Sequence, residues 1–142
     1  MSRAFDRVVR WARLFRRHYF LLLKTLVVLA RIRIVLTLRS YRPVLAWIGR
    51  VPPREGPRIP LPLLAWAVER MAPLVPHASC LTQALTLRYL AAREGQACTI
   101  RIGVRQQQGK PFDAHAWVIA DGTVMIGGQE ERIEDFTPIV DL

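Results

Sequence analysis

The order of apolar and polar positions divides the chain into a helical first part and a mixed second part. Across residues 3–38 no proline or glycine interrupts the sequence, and in its first half arginines recur every three or four residues among large apolar side chains. This spacing predicts a long amphipathic helix with one cationic face. A second, short helix is expected over residues 43–49, because proline suits a first helical turn and glycine suits a stop.

Prolines mark the boundary between the two parts. Residues 50–62 contain five prolines and a glycine, so this segment is predicted to be neither helix nor interior strand. We therefore expect three units: a basic amphipathic helical arm over residues 1–49, a proline-rich linker over residues 50–62, and a domain over residues 63–142.

Two helices are expected to begin that domain. Over residues 63–74, apolar positions recur at helical spacing and prolines close the run. Ser79 is predicted to be the N-cap of the next helix, which runs from Cys80 to about residue 93 with Gly95 as its stop.

Beyond Gly95 the apolar period changes to two. Strands are predicted over residues 98–104, 114–120 and 123–126, and the pair Asp121-Gly122 predicts a tight hairpin turn between the last two. Helices followed by an antiparallel sheet define an α+β plan.

Composition and charge narrow the class of protein. A chain of 142 residues that is 51% hydrophobic is about one domain long and can bury a core. Two cysteines are too few for a disulfide framework, and the apolar run over residues 19–30 is too short to span a bilayer and lacks a cleavage site, so we expect a cytoplasmic protein. The net charge is +10, and fourteen of the twenty-one basic residues lie in residues 1–60.

Cys80 and His115 are the residues with the clearest candidate chemistry. A cysteine in the first turn of a helix faces unpaired backbone N–H groups and the positive end of the helix dipole, which favour thiolate over thiol. His115, thirty-five residues later in a strand-like run, can hold the proton. Taken singly, such a cysteine or histidine is more often a packing residue. Together they have the order, and lie on the kinds of element, that papain-like and transglutaminase-like enzymes use.

Several short motifs around these two residues occur together. They are Ser79-Cys80-Leu81-Thr82-Gln83-Ala84-Leu85, Ile102-Gly103-Val104, Ala114-His115-Ala116-Trp117-Val118 and Asp121-Gly122. In combination they resemble the transglutaminase-like leader peptidases of lasso-peptide biosynthesis, and the segment with Arg42-Pro43 and Trp47-Ile48-Gly49 resembles the helical arm of those proteins. The resemblance implies an α+β fold with a transglutaminase-like or papain-like core, in which helices pack on a small antiparallel sheet behind an N-terminal helical arm.

The resemblance also implies a function and partners. The function is that of a cysteine peptidase that removes the leader peptide from a ribosomally made precursor, after which a lasso cyclase joins the freed core amine to an acidic side chain. Because residues 1–60 are too basic, too helical and too short for the family's recognition domain, we expect a separate leader-recognition protein. No cofactor is implied. An acyltransferase of the same fold and a non-catalytic scaffold that binds the precursor are the alternatives.

Carried over by position, Cys80 matches the family's nucleophile and His115 its general base, while the third member stays open. A tight turn at Asp121-Gly122 sets a register in which Ile119 lies opposite Val124, Trp117 opposite Ile126, and His115 opposite Gly128. Glycines 127 and 128 therefore stand where the family's acid is expected.

Three residues are candidates for orienting His115, and a site without a third member is a further alternative. Asp113 lies two residues before it on the same strand face, and Gln129 or Glu130 can reach it after a bulge at the glycines. The site can also be a dyad without an acid. Asp121 lies about 20 Å along the strand, which is too far.

The other candidates carry weaker signals. Cys98 heads a strand and is expected to pack, His77 lies in a proline-bounded turn where solvation is the ordinary state, and Trp117 is expected in the sheet core. The cysteines and histidines lack zinc-ligand spacing, so no metal site is predicted. No glycine-rich phosphate loop or stacking platform indicates a nucleotide or nucleic acid.

The basic arm fits two explanations. Its amphipathic helix can lie on an anionic membrane surface, or it can pack its apolar face on the domain and present arginines to an acidic partner such as a leader peptide. The family resemblance favours the second explanation.

Overall fold

A computed structural model describes residues 2–128 and 133–142 of the chain. The helices are α1 (Ser2–Arg17), α2 (Tyr19–Leu38), α3 (Arg42–Gly49), α4 (Leu61–Met71) and α5 (Cys80–Arg93), and the strands are β1 (Thr99–Arg105), β2 (Asp113–Ala120), β3 (Thr123–Ile126) and β4 (Thr137–Asp141). Short 3-10 turns lie at Ala72–Leu74 and Ile133–Asp135. The described strands form one antiparallel sheet in the order β3-β2-β1-β4. The predicted α+β class, with helices packed on a small antiparallel sheet, is confirmed.

The core lies between the sheet and helices α2, α4 and α5. Helix α5 is its centre, with Leu85, Leu87 and Leu90 almost fully buried. Ile100 of β1 and Val118 of β2 are completely buried in the same cluster. The N-terminus of α5 is thereby held rigidly next to the sheet.

Helices α1 and α2 form a nearly continuous rod that breaks at His18. The single helix predicted over residues 3–38 is wrong at this point, because His18 has φ −112° and ψ 22°, outside helical values. Hydrogen bonding continues through the break, from the His18 N–H to the Leu14 carbonyl and from the Leu22 N–H to the His18 carbonyl. The His18 ring packs edge-on against Trp66 of α4, with 5.9 Å between centroids.

The proline-rich segment is irregular up to Pro60, and an ion pair between half-buried Arg54 and buried Glu94 ties it to the end of α5. The Arg54 Nε donates to the Glu94 carboxylate at 2.6 Å, and the Ile59 N–H donates to its other oxygen at 2.9 Å. Burial acts to raise the pKa of Glu94, but these hydrogen bonds and the positive charges of Arg54 and Lys24 together lower it below its ordinary value. The prediction that residues 61 and 62 lie outside a helix is wrong, because proline is tolerated in a first turn and α4 begins there.

The predicted hairpin is present, but its register changes at a bulge. Asp121 and Gly122 have φ of 50° and 74°, the left-handed pair that a two-residue hairpin turn of type I′ requires. Ile119 lies opposite Val124 as predicted, whereas Ile126 lies opposite Val118 and not opposite Trp117. The extra residue on β3 makes the predicted register wrong beyond this point.

Strand β4 is an edge strand of the sheet. Sequence patterning did not predict β4, which pairs with β1 at the edge of the sheet and is exposed along its whole length. None of the described helices combines the length and the apolar character needed to cross a membrane.

Candidate active site

Cys80 is the first residue of α5, as the sequence predicts. Ser79 caps the helix: its hydroxyl accepts the Thr82 N–H at 3.2 Å, and its carbonyl accepts the Gln83 N–H at 3.0 Å. The N–H groups of Cys80 and Leu81 come before Gln83, the first backbone donor of the helical ladder, and the Ser79 hydroxyl takes the Thr82 N–H, so those two N–H groups are available to another acceptor. The sulfur therefore lies beside two backbone donors at the positive end of a helix.

His115 lies on β2 in an aromatic enclosure. Its ring is 6.0 Å from Trp117 and 5.4 Å from Phe136, measured between centroids, and all three side chains are buried. Gly103 lies opposite His115 on β1, and a Cβ there would come within 2.8 Å of the Trp117 ring. Trp117 is thus both part of the sheet packing and a wall beside the imidazole.

The Nε2 atom of His115 lies 2.5 Å from the carbonyl oxygen of Gly127. A carbonyl oxygen can only accept, so Nε2 must carry the hydrogen. In the neutral ring this bond leaves Nδ1 as the nitrogen that can accept a proton. A backbone carbonyl therefore holds the tautomer and the ring orientation, which is the task of the acid in a Cys-His-Asp triad.

Gly127 reaches this position because it has no side chain. It follows the β3 bulge with φ +87°, in the left-handed region that favours glycine. A Cβ at residue 127 would lie 2.8 Å from the Ala116 carbonyl oxygen and 3.0 Å from the Trp117 Cβ. Glycine thus allows close approach of this carbonyl to His115.

Cys80 and His115 line the same cleft, whose volume is about 480 Å³. Gln83, one helical turn after Cys80, also lines it, and its side-chain amide donates a long 3.4 Å hydrogen bond to the Ala78 carbonyl. The apolar part of the wall consists of Ala72, Pro73, Val75, Ala78 and Ile126. No hydrogen bond joins the sulfur to the imidazole among the described residues, and catalytic contacts of this kind often tighten only when substrate binds.

Of the residues predicted to orient His115, the structure describes Asp113. Asp113 is paired with Arg105 at 2.8 Å, and the Arg105 guanidinium lies 4.5 Å from the Phe136 ring centroid. The link from Asp113 to His115 is therefore indirect: the Asp113 carboxylate binds Arg105, Arg105 lies over the Phe136 ring, and Phe136 packs against the imidazole. Gln129 and Glu130 lie outside the described residues, so their part in the site stays a prediction.

The other sequence candidates are placed as follows. His77 is exposed, has φ 61°, and lines the cleft next to Cys80. Cys98 is half-buried, and burial raises the pKa of its thiol, which disfavours the reactive thiolate. Among the described residues, no three histidine, cysteine or acidic side chains converge closely enough to hold a metal ion.

A cysteine at a helix N-terminus and a histidine on a strand that share one cleft are the arrangement that cysteine hydrolases and acyltransferases use. A family profile described as the transglutaminase-like superfamily matches residues 21–141. The chain belongs to the transglutaminase-like superfamily, a fold that is typically enzymatic and that includes cysteine peptidases and acyltransferases. Neither the curated proteins nor the solved structures gave a match.

Two groups of this site were missed by sequence reasoning. The Gly127 carbonyl is a backbone atom, and the only sequence signal was a glycine pair in place of the expected acid. Phe136 comes from the segment before β4 and reaches His115 only through the pairing of β4 with β1.

Proposed function

We propose that this protein is a cytoplasmic cysteine peptidase that removes the leader peptide from a lasso-peptide precursor. It acts with a separate leader-recognition protein and a lasso cyclase. The observation that carries the proposal is the shared cleft of Cys80 and His115, with the imidazole bonded to the Gly127 carbonyl. The motif resemblance around these residues supports the choice of a leader peptide as the substrate, and the two unpaired cysteines fit a reducing compartment.

The chemistry follows from the atoms at the cleft. The His115 Nδ1 takes the thiol proton, and the Cys80 sulfur attacks the carbonyl of the last leader residue. The backbone N–H of Cys80 donates to the oxyanion, and the side-chain amide of Gln83 is positioned on the same wall as a second donor. The C–N bond then breaks as His115 returns the proton to the leaving core amine.

The second half of the reaction releases the leader. The acyl-enzyme holds the leader through a thioester to Cys80, and His115 removes a proton from water as the water oxygen attacks that carbonyl. The thiol re-forms and the leader leaves with a free carboxylate. The Gly127 carbonyl supports both halves, because the imidazole must keep one orientation while it accepts and returns protons.

The cleft has a lining that suits an extended peptide. Small and apolar residues, including Ala72, Val75 and Ala78, form much of the wall near the sulfur. Such a wall can contact small or apolar side chains next to the cut bond, while Glu69 and His77 add polar groups to the same cleft.

An acyltransferase is the second candidate, because the same thioester can be resolved by an amine. Water and amine differ in the product, so mass spectrometry of the reaction in oxygen-18 water separates the two. We expect the precursor, incubated with its recognition protein and this enzyme, to yield a leader whose new carboxylate carries one heavy oxygen. A leader joined to an amine with no heavy oxygen would overturn hydrolysis and favour transfer.

A matched variant makes this experiment specific to Cys80. Cys98→Ala should leave the product unchanged, because Cys98 lies outside the cleft lining and its thiolate is disfavoured. Cys80→Ala should give no product. If Cys80→Ala gave as much product as Cys98→Ala and wild type, the reaction would not depend on Cys80, and a cysteine mechanism would be ruled out for both hydrolysis and transfer.

A further inference from the structure

Helix α2 is apolar on both of its faces. Its inner face is packed in the core through Leu22, Leu29 and Ile32. The opposite face carries a row of large apolar side chains that are exposed to solvent, and we call it the outer row: Phe20, Leu23, Val27, Ile34 and Leu38.

The outer row is long, continuous in spacing and strongly exposed. Its members recur at helical intervals along about 27 Å of helix, with Arg31 in the one remaining position. Phe20 is 85% exposed and Leu38 is 77% exposed. An apolar row of this size on a helix whose other face is already buried indicates a surface that something else covers.

Helix α1 also has exposed apolar side chains, and it carries more arginines than α2. Its contacts with the body run through Trp11, which lies against Arg70, and through Phe15, which packs against Trp66. The apolar side chains of Phe5 and Val8 remain 69% and 64% exposed. The apolar face of the arm is thus only partly used by the body of the protein.

The charge next to these apolar side chains is almost all of one sign. Within residues 1–50, twelve residues are lysine or arginine and Asp6 is the single acid. The five arginines of α1 from Arg3 to Arg16 are exposed, and Arg31 interrupts the outer row itself. The covering surface must therefore offer both negative charge and apolar depth.

An anionic lipid surface offers both negative charge and apolar depth, and it needs no groove complementary in shape to the two helices. Large apolar side chains enter the boundary between head groups and acyl chains, while arginines extend to the phosphates. A groove of about 460 Å³ beside the outer row adds Trp47 and Tyr89, a stacked pair of the residue types that favour the membrane interface. A protein partner would need a groove of matching length lined with acids.

We propose that the exposed apolar and basic side chains of α1 and α2 dock this protein on an anionic lipid surface. The outer row and Phe5 supply the buried apolar contacts, and the arginines of α1 supply the attraction to anionic head groups. The protein lies on the bilayer surface with its catalytic fold outside the hydrocarbon. This docking is independent of whether the cleft acts as a peptidase.

Vesicle sedimentation of the purified full-length chain tests the proposal. We expect binding to vesicles of phosphatidylglycerol mixed with phosphatidylcholine, little binding to phosphatidylcholine alone, and weaker binding as salt is raised. The double variant Phe20→Gln, Leu38→Gln should bind at least about tenfold more weakly. Phe112→Gln, Ile139→Gln is the matched control, because its residues are 64% and 61% exposed on loop and sheet.

A charge pair completes the design. Arg10→Glu should weaken binding about fivefold or more, whereas Lys110→Glu, on the exposed loop between β1 and β2, should leave it unchanged. Circular dichroism melting of each variant shows that the fold is retained. The proposal is overturned if the wild type stays in the supernatant with anionic vesicles, or if the control pairs lose as much binding as the test variants. Soluble wild type that instead captures an acidic protein would assign the surface to a protein partner.

Discussion

Substitution of Gly127 tests whether its carbonyl orients His115 for the proposed reaction. Alanine at this position keeps the carbonyl but adds a Cβ 2.8 Å from the Ala116 carbonyl oxygen, so the backbone must move by several tenths of an ångström. The carbonyl then no longer holds the His115 Nε2 at 2.5 Å. A catalytic group displaced by up to about 1 Å can lose about a hundredfold in rate, so we expect kcat/KM to fall about 10- to 100-fold.

The backbone conformation contributes a separate cost in stability. A residue with a Cβ in the left-handed region loses about 1–2 kcal/mol relative to glycine. Gly122→Ala is the matched control, since Gly122 also has a positive φ, of 74°, and has no atom within 4 Å of its Cβ position. Both variants should lose this amount, and Gly127→Ala should lose about 1–2 kcal/mol more from the close contact.

The assay compares leader cleavage and urea unfolding for the two variants. We expect Gly122→Ala to keep near-wild-type kcat/KM and Gly127→Ala to lose most of it at a temperature where both are folded. Wild-type activity in Gly127→Ala would refute the role of this carbonyl. Equal losses of activity in the two variants would mean that general destabilisation, and not the orientation of His115, is being measured.

Three further predictions concern helix α5, which begins at Cys80. Iodoacetamide at pH 8 should alkylate Cys80 at least about tenfold faster than Cys98, as peptide mass spectrometry will show, because burial raises the pKa of the Cys98 thiol; equal rates would contradict this. Ser79→Ala should lower the free energy of unfolding by about 1 kcal/mol through loss of the helix cap, whereas Ser40→Ala, outside any helix, should change it little. Glu94→Gln should cost about 1–3 kcal/mol at pH 7. Because folding lowers the pKa of Glu94 below 4.5, its contribution is complete above that pH and is lost as pH falls further, so the stability of wild type and variant should converge in acid; a constant difference would contradict the cause.

The helices and the first three strands follow from local signals in the sequence. Ser79 as a cap, Gly95 as a stop and Asp121-Gly122 as a turn each act within a few residues, so their effect is visible without the fold. Strand β4 carries no such signal, because all of its residues are exposed and no buried face imposes alternation. Its place depends on pairing with β1, about forty residues away.

The candidate side chains could be named from the sequence, but the backbone atom beside them could not. Cys80 and His115 are candidates by residue type and by the element that carries each, and the structure places both in one cleft. The Gly127 carbonyl belongs to no residue type, and its position depends on a bulge that shifts the β3 register. The outer row was likewise hidden, because an apolar helix in a sequence does not reveal which of its faces the fold leaves exposed.

Cleavage of a precursor by Cys80→Ala, His115→Ala and Cys98→Ala tests the central claim most directly. Each variant is incubated with the precursor and its recognition protein, and the products are weighed by mass spectrometry. The account predicts one cut at the leader–core bond with wild type and Cys98→Ala, and intact precursor with the other two variants. Cleavage by Cys80→Ala at the wild-type rate, or intact precursor with wild type although the recognition protein and precursor are bound, would contradict it.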